Sequence, residues 1–256
     1  AWRGASVANV DALERILLRV SEMVCELPQL REMDINPIIV DESGAVAVDA
    51  RIVIDHAPQA IGGRANTYSH LSILPYPARY EQVWPMRGGG EYTVRPIHPD
   101  DAQMLQNLMG HLSPANRYFR FISSMVELPP SMLARFTLID YDREMALVAV
   151  FKERKLGTNG EILETQRIVG VSRYVTNPDQ SSCEFALVVA DDFSGKGLGS
   201  RLMLSIMDVA RDKGLSEIEG LVLTQNPGML KLMKSMGYTI KAFAEDPDFR
   251  LVTYTL

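Results

Sequence analysis

The chain has 256 residues, of which 46% are hydrophobic and 23% are charged. At about 150 residues per domain, this length predicts one domain with an appendage or two small domains, and the composition excludes a disordered or fibrous protein. The net charge of −6 disfavours nucleic acid and anionic membranes as partners. No run reaches the ~18 apolar residues of a membrane span and no signal peptide is evident, so we expect a cytoplasmic protein.

The cysteines and histidines indicate neither thiol nor metal chemistry. Cys25 and Cys183 lie far apart in the chain and fit buried small hydrophobic residues better than a disulfide or a metal pair. The four histidines occur in no spacing that is typical of metal ligands, and we expect no metal. The chain begins with Ala1 rather than Met, which we interpret as a sign that it belongs to something longer.

The N-terminal part predicts a helix followed by a hairpin. Apolar residues recur at three- and four-residue spacing over 9–26, Asn9 is suited to the N-cap, and Pro28 ends the helix. Two apolar runs, 35–40 and 45–54, are joined by a turn at 41–44. Residues 1–55 are therefore predicted as one small unit.

The composition of the chain changes at residues 56–90. Glycine and proline recur there, as in Pro75-Tyr76-Pro77 and Gly88-Gly89-Gly90, and neither helical nor strand periodicity is sustained. We interpret this segment as a linker, which leaves residues 91–256 as a second domain.

The second domain predicts a mixed α+β sheet flanked by helices. Helices are expected to open near Pro99, Pro114 and Pro129 and to span 197–213 and 227–236, the last stopped by Gly237. Strands are expected at 92–97, 146–151, 167–175, 183–190, 218–223, near Tyr238 and at 249–255. A turn at 177–179 makes the strands on either side of it antiparallel.

The most informative segment is the glycine-rich turn Gly195-Lys196-Gly197-Leu198-Gly199 between a strand and the long helix. Glycines let backbone N–H groups converge, and the helix N-terminus adds partial positive charge, so a pyrophosphate fits this turn. The spacing matches neither the dinucleotide-binding nor the P-loop motif. From the pattern alone, a turn that serves only close helix packing remains open.

A second signal is Asn226, which follows a strand and precedes the helix that ends at Gly237-Tyr238. Asn is a favoured N-cap residue, so this position is equally explained by helix capping alone.

Taken together, these two segments resemble the acetyl-CoA-dependent N-acetyltransferase (GNAT) superfamily over residues 91–256. The resemblance implies that the glycine turn holds the CoA pyrophosphate and that Asn226 contacts the pantetheine arm of acetyl-CoA. Ser194 replaces the usual Gln or Arg, and Met233 replaces a tyrosine that acts as general acid in many members. The implied acetyl-CoA contacts are Leu187, Val188, Val189, Gly195, Lys196, Gly197, Leu198, Gly199, Ser200, Asn226, Met229 and Met233.

The chain further resembles bacterial protein lysine acetyltransferases that are fused to an ADP-forming acyl-CoA synthetase-like region. The motifs that carry this resemblance are Leu112-Ser113-Pro114, 117–121, 139–148 and 183–186. In the N-terminal part, 33–37 and 48–50 resemble the closing hairpin of an ATP-grasp subunit. This implies that Asn36 and Asp49 are vestigial ligands of a Mg²⁺-nucleotide, and the acetyl transfer itself needs no metal.

Acetyl transfer to lysine requires a base, because with a pKa near 10.4 only about 1 lysine in 2,500 is neutral at pH 7. Alternation places Glu184 on one strand face with Ala186 and Val188, where apolar neighbours would raise its pKa; a solvated strand-end glutamate is the alternative. We expect the N–H of Leu187 or Val188 to stabilise the developing oxyanion. Cys183 points to the opposite face, which disfavours a covalent cysteine route.

The acceptor entrance is assigned by resemblance to six residues, for which ordinary surface positions are the alternative: Arg117, Tyr118, Arg120, Asp140, Tyr141 and Asp142. The implied function is transfer of acetyl to a lysine of a target protein, an AMP-forming acetyl-CoA synthetase. A small-amine acetyltransferase and a non-catalytic acyl-CoA sensor remain alternatives. An ATP-grasp ligase is disfavoured, because about 55 residues cannot enclose a nucleotide.

Overall fold

The computed structural model describes residues 7–55, 71, 74–86, 90–121, 125, 127–156 and 162–256. It divides into two compact units, Ala1–Pro75 and Tyr76–Leu256. The boundary lies inside the segment that the sequence predicts as a linker: residues 56–70 are outside the described residues, whereas 76–86 belong to the second unit. We therefore correct the linker to end before Tyr76. The strand at 82–85 escaped prediction because four residues are too few to show periodicity.

The described residues of the first unit form one helix and four short strands. Helix α1 spans Val10–Glu26, and the side chain of Asn9 accepts a hydrogen bond from the N–H of Ala12 at 2.9 Å, which confirms the predicted N-cap. Strands β1 (Leu30–Ile35) and β4 (Ala50–Ile54) pair antiparallel around an inner pair, β2 (Ile38–Val40) and β3 (Ala45–Ala47).

This nested pairing differs from the simple two-strand hairpin that the sequence predicts. The charged residues Arg31, Glu32 and Asp34 interrupt the apolar pattern of β1, so hydrophobicity alone does not reveal that strand. Pro37 lacks an N–H and separates β1 from β2, and the N–H of Asn36 donates to the carbonyl of Asp49 at 3.1 Å across the gap.

The second unit is built on an eight-stranded sheet in the order β11-β12-β10-β9-β8-β7-β6-β5. All neighbours are antiparallel except β9 and β10, which are parallel. The strands are β5 (Gln82–Pro85), β6 (Glu91–Pro96), β7 (Glu144–Leu156), β8 (Ile162–Thr176), β9 (Ser182–Val189), β10 (Glu217–Leu223), β11 (Thr239–Ala242) and β12 (Phe249–Thr255). This is the mixed α+β sheet that the sequence predicts.

In the part of this unit that the structure describes there are five α-helices: α2 (Ala102–His111), α3 (Pro114–Phe121), α4 (Pro130–Thr137), α5 (Leu198–Asp212) and α6 (Pro227–Ser235). Helix α5 buries Leu198, Leu202, Ile206 and Val209, which recur at three- and four-residue spacing. Gly237 adopts φ +85° just after α6, as expected of a residue that ends a helix.

The β7–β8 hairpin is longer than predicted, because charged residues such as Lys152 hide its outer part from a hydrophobicity pattern. Its inner part is apolar and forms the centre of the core: Met145 to Val150 are buried, and so are Ile168 and Val169. None of the described helices is long and apolar enough to cross a membrane.

Candidate active site

Strands β9 and β10, in the middle of the sheet, pair over only a short stretch and then separate. Their parallel register covers Ser182 to Glu184 against Glu217 to Glu219 and goes no further in the part of the chain that the structure describes. Just beyond it, the ring of Phe185 lies over the backbone of Gly220, where an added Cβ would come within 2.7 Å of the ring. The strands therefore leave a gap along the second half of β9.

Backbone groups of alternate β9 residues face this gap. The carbonyl of Ser182 accepts from Asn177 on the β8 side, and the N–H of Ala190 donates to the carbonyl of Val169 on the same side. Because the groups of alternate residues point to opposite neighbours, even-numbered β9 residues bond β8 and odd-numbered ones face β10. The N–H of Leu187 thus points into the gap, whereas that of Val188 points to β8.

The glycine turn lies at the end of β9, before α5. Gly195 and Gly197 have φ of +74° and +87°, a region that other residues rarely adopt. The first bond inside α5 runs from the N–H of Arg201 to the carbonyl of Gly197, so the N–H groups of residues 198–200 have no partner within the helix. Exposed Lys196 lies with its Nζ 5.0 Å from the Phe193 ring centroid. This arrangement fits a bound pyrophosphate.

Gly199 connects the turn to the gap. A Cβ added there would lie 3.4 Å from Leu232, 3.6 Å from Leu187 and 3.8 Å from Val189. The implied contacts Leu187, Val189 and Gly199 are therefore close neighbours, while Val188 faces the opposite side of the sheet and Leu198 is buried.

Helix α6 holds three further implied contacts. The side-chain oxygen of Asn226 accepts from the N–H of Met229 at 3.0 Å, so Asn226 is the N-cap of α6. Its amide N–H groups remain to donate to a ligand. Met229 is half-buried, but Met233 is fully buried at 0% exposure, because it lies on the core face of α6. Met233 is accordingly corrected from a ligand contact to a core residue.

Glu184 lies on the face of β9 opposite to that of Leu187 and Val189, and it lines a cavity of about 230 Å³. It shares that face with Ala186, as alternation predicts, and a second, smaller cavity under α2 and α4 is lined by Ala186 and Val188. The carboxylate itself is exposed rather than enclosed by apolar neighbours. The expectation that apolar neighbours enclose this carboxylate is therefore not met.

Buried charges that sequence analysis missed surround this cavity. Glu144 accepts from Arg135 at 2.6 Å and from Arg173 at 3.1 Å, and both Glu144 and Arg173 are buried. Burial lowers the pKa of Arg173, and Glu144 opposes that effect. The available signal was Arg173 within the apolar run 168–175, since an unpaired charge is rarely buried in a strand.

Of the six residues expected at the acceptor entrance, only Arg120 lines this cavity. Tyr141 donates to the carbonyl of Ile97 at 2.8 Å, and Asp142 lies 3.7 Å from Lys213, which follows α5. The side chain of Asp140 accepts from the N–H of Asp142 at 3.0 Å and caps its own turn. The six residues therefore do not line this cavity together, because the 140–142 turn makes tertiary contacts with Ile97 and Lys213 instead.

Helix α3 carries the other two residues of that set, exposed Tyr118 and half-buried Arg117. The helix is tied to the segment after β9: Ser113 donates from its N–H and its hydroxyl to Asp191 at 2.8 Å, and Asn116 donates to the same carboxylate at 2.6 Å. Asp191 thereby holds α3 beside the glycine turn.

Cys183 lies on the opposite face from Glu184, as predicted. It is fully buried, and burial with the charge of Glu219 raises the pKa of its thiol to about 12. Such a thiol is a poor nucleophile. In the first unit, Asn36 and Asp49 are exposed and linked through their backbones, and no group of three metal-ligating side chains occurs among the described residues.

Comparison with known proteins agrees with this architecture. A model of the acetyltransferase (GNAT) family matches residues 124–238, and a model of the ATP-grasp domain matches residues 1–54. Acetyltransferase PA5475 of Pseudomonas aeruginosa is 34% identical over 160 residues, which are 62% of this chain and 80% of that protein. The chain belongs to the GNAT acetyltransferases and carries an ATP-grasp fragment at its N-terminus.

Two further relatives carry the name Pat. Acetyltransferase Pat of Mycolicibacterium smegmatis is 29% identical over 166 residues, 64% of this chain but only 44% of that protein. The crystal structure of the GNAT domain of S. lividans PAT has a TM-score of 0.61 and 27% identity, and the match covers 71% of this chain and 100% of that domain. The protein is therefore an acetyltransferase of a family that uses acetyl-CoA.

Proposed function

We propose that the protein transfers acetyl from acetyl-CoA to the ε-amine of a lysine on a target protein, with Glu184 as general base. The observation that carries the proposal is the meeting of two features on β9. The backbone N–H of Leu187 points from β9 into the gap between β9 and β10, beside the glycine turn. The exposed carboxylate of Glu184, on one face of the same strand, lines a cavity.

Each group has one task in this mechanism. Acetyl-CoA supplies an activated thioester, and the N–H groups at the start of α5, Lys196 and Asn226 would hold it. Glu184 accepts a proton from the lysine ammonium, so that a neutral amine attacks the carbonyl. The C–N bond forms, the C–S bond of the thioester breaks, and CoA leaves as a thiolate that takes up the second amine proton through water. The N–H of Leu187 stabilises the negative charge on the carbonyl oxygen. No side chain of the enzyme becomes acylated, which agrees with the high pKa of Cys183.

The proposed acceptor is a lysine of an AMP-forming acetyl-CoA synthetase. The resemblance to bacterial protein lysine acetyltransferases and the two relatives named Pat support a protein target. The ATP-grasp fragment at residues 1–54 and its similarity to an ADP-forming acetate–CoA ligase subunit support a target in acyl-CoA metabolism.

Intact-mass spectrometry tests this proposal. A purified AMP-forming acetyl-CoA synthetase is incubated with acetyl-CoA and the protein, its Glu184→Gln variant, or Glu217→Gln as a matched loss of charge on β10. We expect a gain of about one acetyl group, ~42 Da, with the unsubstituted protein and with Glu217→Gln, and almost none with Glu184→Gln. No gain with any of the three would refute the protein target.

A further inference from the structure

The cavity beside Glu184 contains more positive than negative charge. Its lining includes three arginines, Arg120, Arg135 and Arg173, and two glutamates, Glu144 and Glu184. The carboxylate of Glu144 accepts hydrogen bonds from both Arg135 and Arg173. The remaining pair is Arg120 and Glu184, which attract each other without forming an ion pair.

Arg120 is the arginine without a partner. Within the described residues its guanidinium forms neither a hydrogen bond nor a salt bridge, and it lies 4.9 Å from the ring centroid of Phe121 and 5.9 Å from that of Phe136. Burial and the neighbouring Arg173 lower the pKa of Arg120 to about 10. At neutral pH it is still a cation, and five N–H donors on its guanidinium are free to bind an anion.

An acceptor lysine enters this cavity as an ammonium ion. The five charged side chains sum to +1, so a second positive charge is repelled unless the acceptor also brings a negative one. A carboxylate on the acceptor would meet the unpartnered guanidinium of Arg120 while the amine meets Glu184. Arg–carboxylate pairs are strong and directional, since two parallel N–H···O bonds form.

The size of the cavity limits how far apart the amine and the carboxylate lie. At about 230 Å³ it is smaller than the ~300–1,000 Å³ of most small-molecule sites. It has room for side chains of a polypeptide rather than for a large amine, so the carboxylate must belong to a residue close to the lysine.

We propose that Arg120 determines acceptor specificity by binding an aspartate or glutamate that lies next to the acetylated lysine. This rests on the proposed lysine acetylation and adds the chemistry of the sequence around the lysine. Arg120 touches the acceptor, whereas Glu144 is a positioning residue that keeps Arg173 and Arg135 paired and leaves Arg120 free.

The test compares kcat/KM of the full chain for matched peptides that differ only beside one lysine: Asp-Lys, Asn-Lys and Lys-Lys. We expect about a tenfold preference for Asp-Lys over Asn-Lys, which corresponds to about 1.4 kcal/mol. Arg120→Gln should abolish this preference by lowering the Asp-Lys value, and Arg120→Glu should favour Lys-Lys. Arg135→Lys, which keeps the sum of charges at +1 and changes an arginine already paired with Glu144, should keep the preference.

The outcomes separate this inference from the proposed function. Equal loss for all peptides in Arg120→Gln would make Arg120 a structural residue, and equal rates for all peptides with the unsubstituted chain would also overturn the inference; either leaves lysine acetylation intact. Acetylation of no peptide and no protein would overturn both. Nα-acetyl-lysine and its amide provide a further arm, because a preference for the free acid without one for Asp-Lys assigns Arg120 to a small carboxylate and overturns the peptide form. Circular dichroism of each variant verifies folding.

Discussion

The two units of the chain differ in how far their apolar side chains are buried. Among the described residues of the first unit only Ala12 is buried, while Leu17, Leu18, Val46 and Ile54 are exposed. The second unit buries a continuous cluster that includes residues of its sheet and the inner face of its long helix α5. Helix α1 has the amphipathic pattern of a packed helix, but the described residues of the first unit form no packed core.

This difference shows that sequence pattern and stability are separate properties. The amphipathic pattern of α1 predicts its helix correctly, yet burial of an apolar face is what supplies most helix stability in a protein. The second unit has both the apolar pattern and a buried apolar core, and the candidate site lies in that unit. Residues of the same type in the two units allow this difference in burial to be tested.

The two cysteines give the largest expected contrast. A thiol with a pKa of about 12, as in Cys183, is ionised in about 1 molecule in 10,000 at pH 8. Cys25 in the first unit is half-buried and free. Iodoacetamide at pH 8 should therefore label Cys25 and leave Cys183 unlabelled until denaturant is added, which peptide mass spectrometry measures. Fast labelling of Cys183 in the native protein would restore the covalent cysteine route.

Glu184→Gln tests whether the chemistry depends on the carboxylate of β9. The amide keeps the shape of the side chain but cannot accept the proton, so kcat should fall by about 10² to 10⁴. The affinity for acetyl-CoA, measured by calorimetry, should not change, because Glu184 and the glycine turn serve different ligands. Unchanged turnover would remove Glu184 from the mechanism.

Matched leucines compare the stability of the two units. Leu202 of α5 is fully buried and Leu17 of α1 is 60% exposed. Leu202→Ala should lower the free energy of unfolding by about 2–5 kcal/mol, because it leaves a cavity. Leu17→Ala should change it by less than about 0.5 kcal/mol. Urea unfolding followed by circular dichroism measures both; equal effects would mean that Leu17 packs against something in solution.

The sequence predicted the helices, most of the strands and the glycine turn, because glycine spacing and helical periodicity are local. It could not predict the Glu144–Arg173 pair, whose members are 29 positions apart and meet only through the β7–β8 pairing. The assignment of Tyr141 and Asp142 to one entrance with Arg120 failed for the same reason: which face of the sheet a loop serves depends on tertiary contacts.

Gly199→Ala decides whether the glycine turn serves packing or binding. The added Cβ would make ordinary contacts with Leu232, Leu187 and Val189, and alanine is favoured over glycine inside a helix by about 1 kcal/mol. Packing alone therefore predicts equal or higher stability and an unchanged KM. Because the methyl group would narrow the space between α5 and the open edge of β9, we expect the KM for acetyl-CoA to rise about tenfold while the melting temperature stays the same or increases. An unchanged KM would return Gly199 to the helix-packing role that its spacing alone allows.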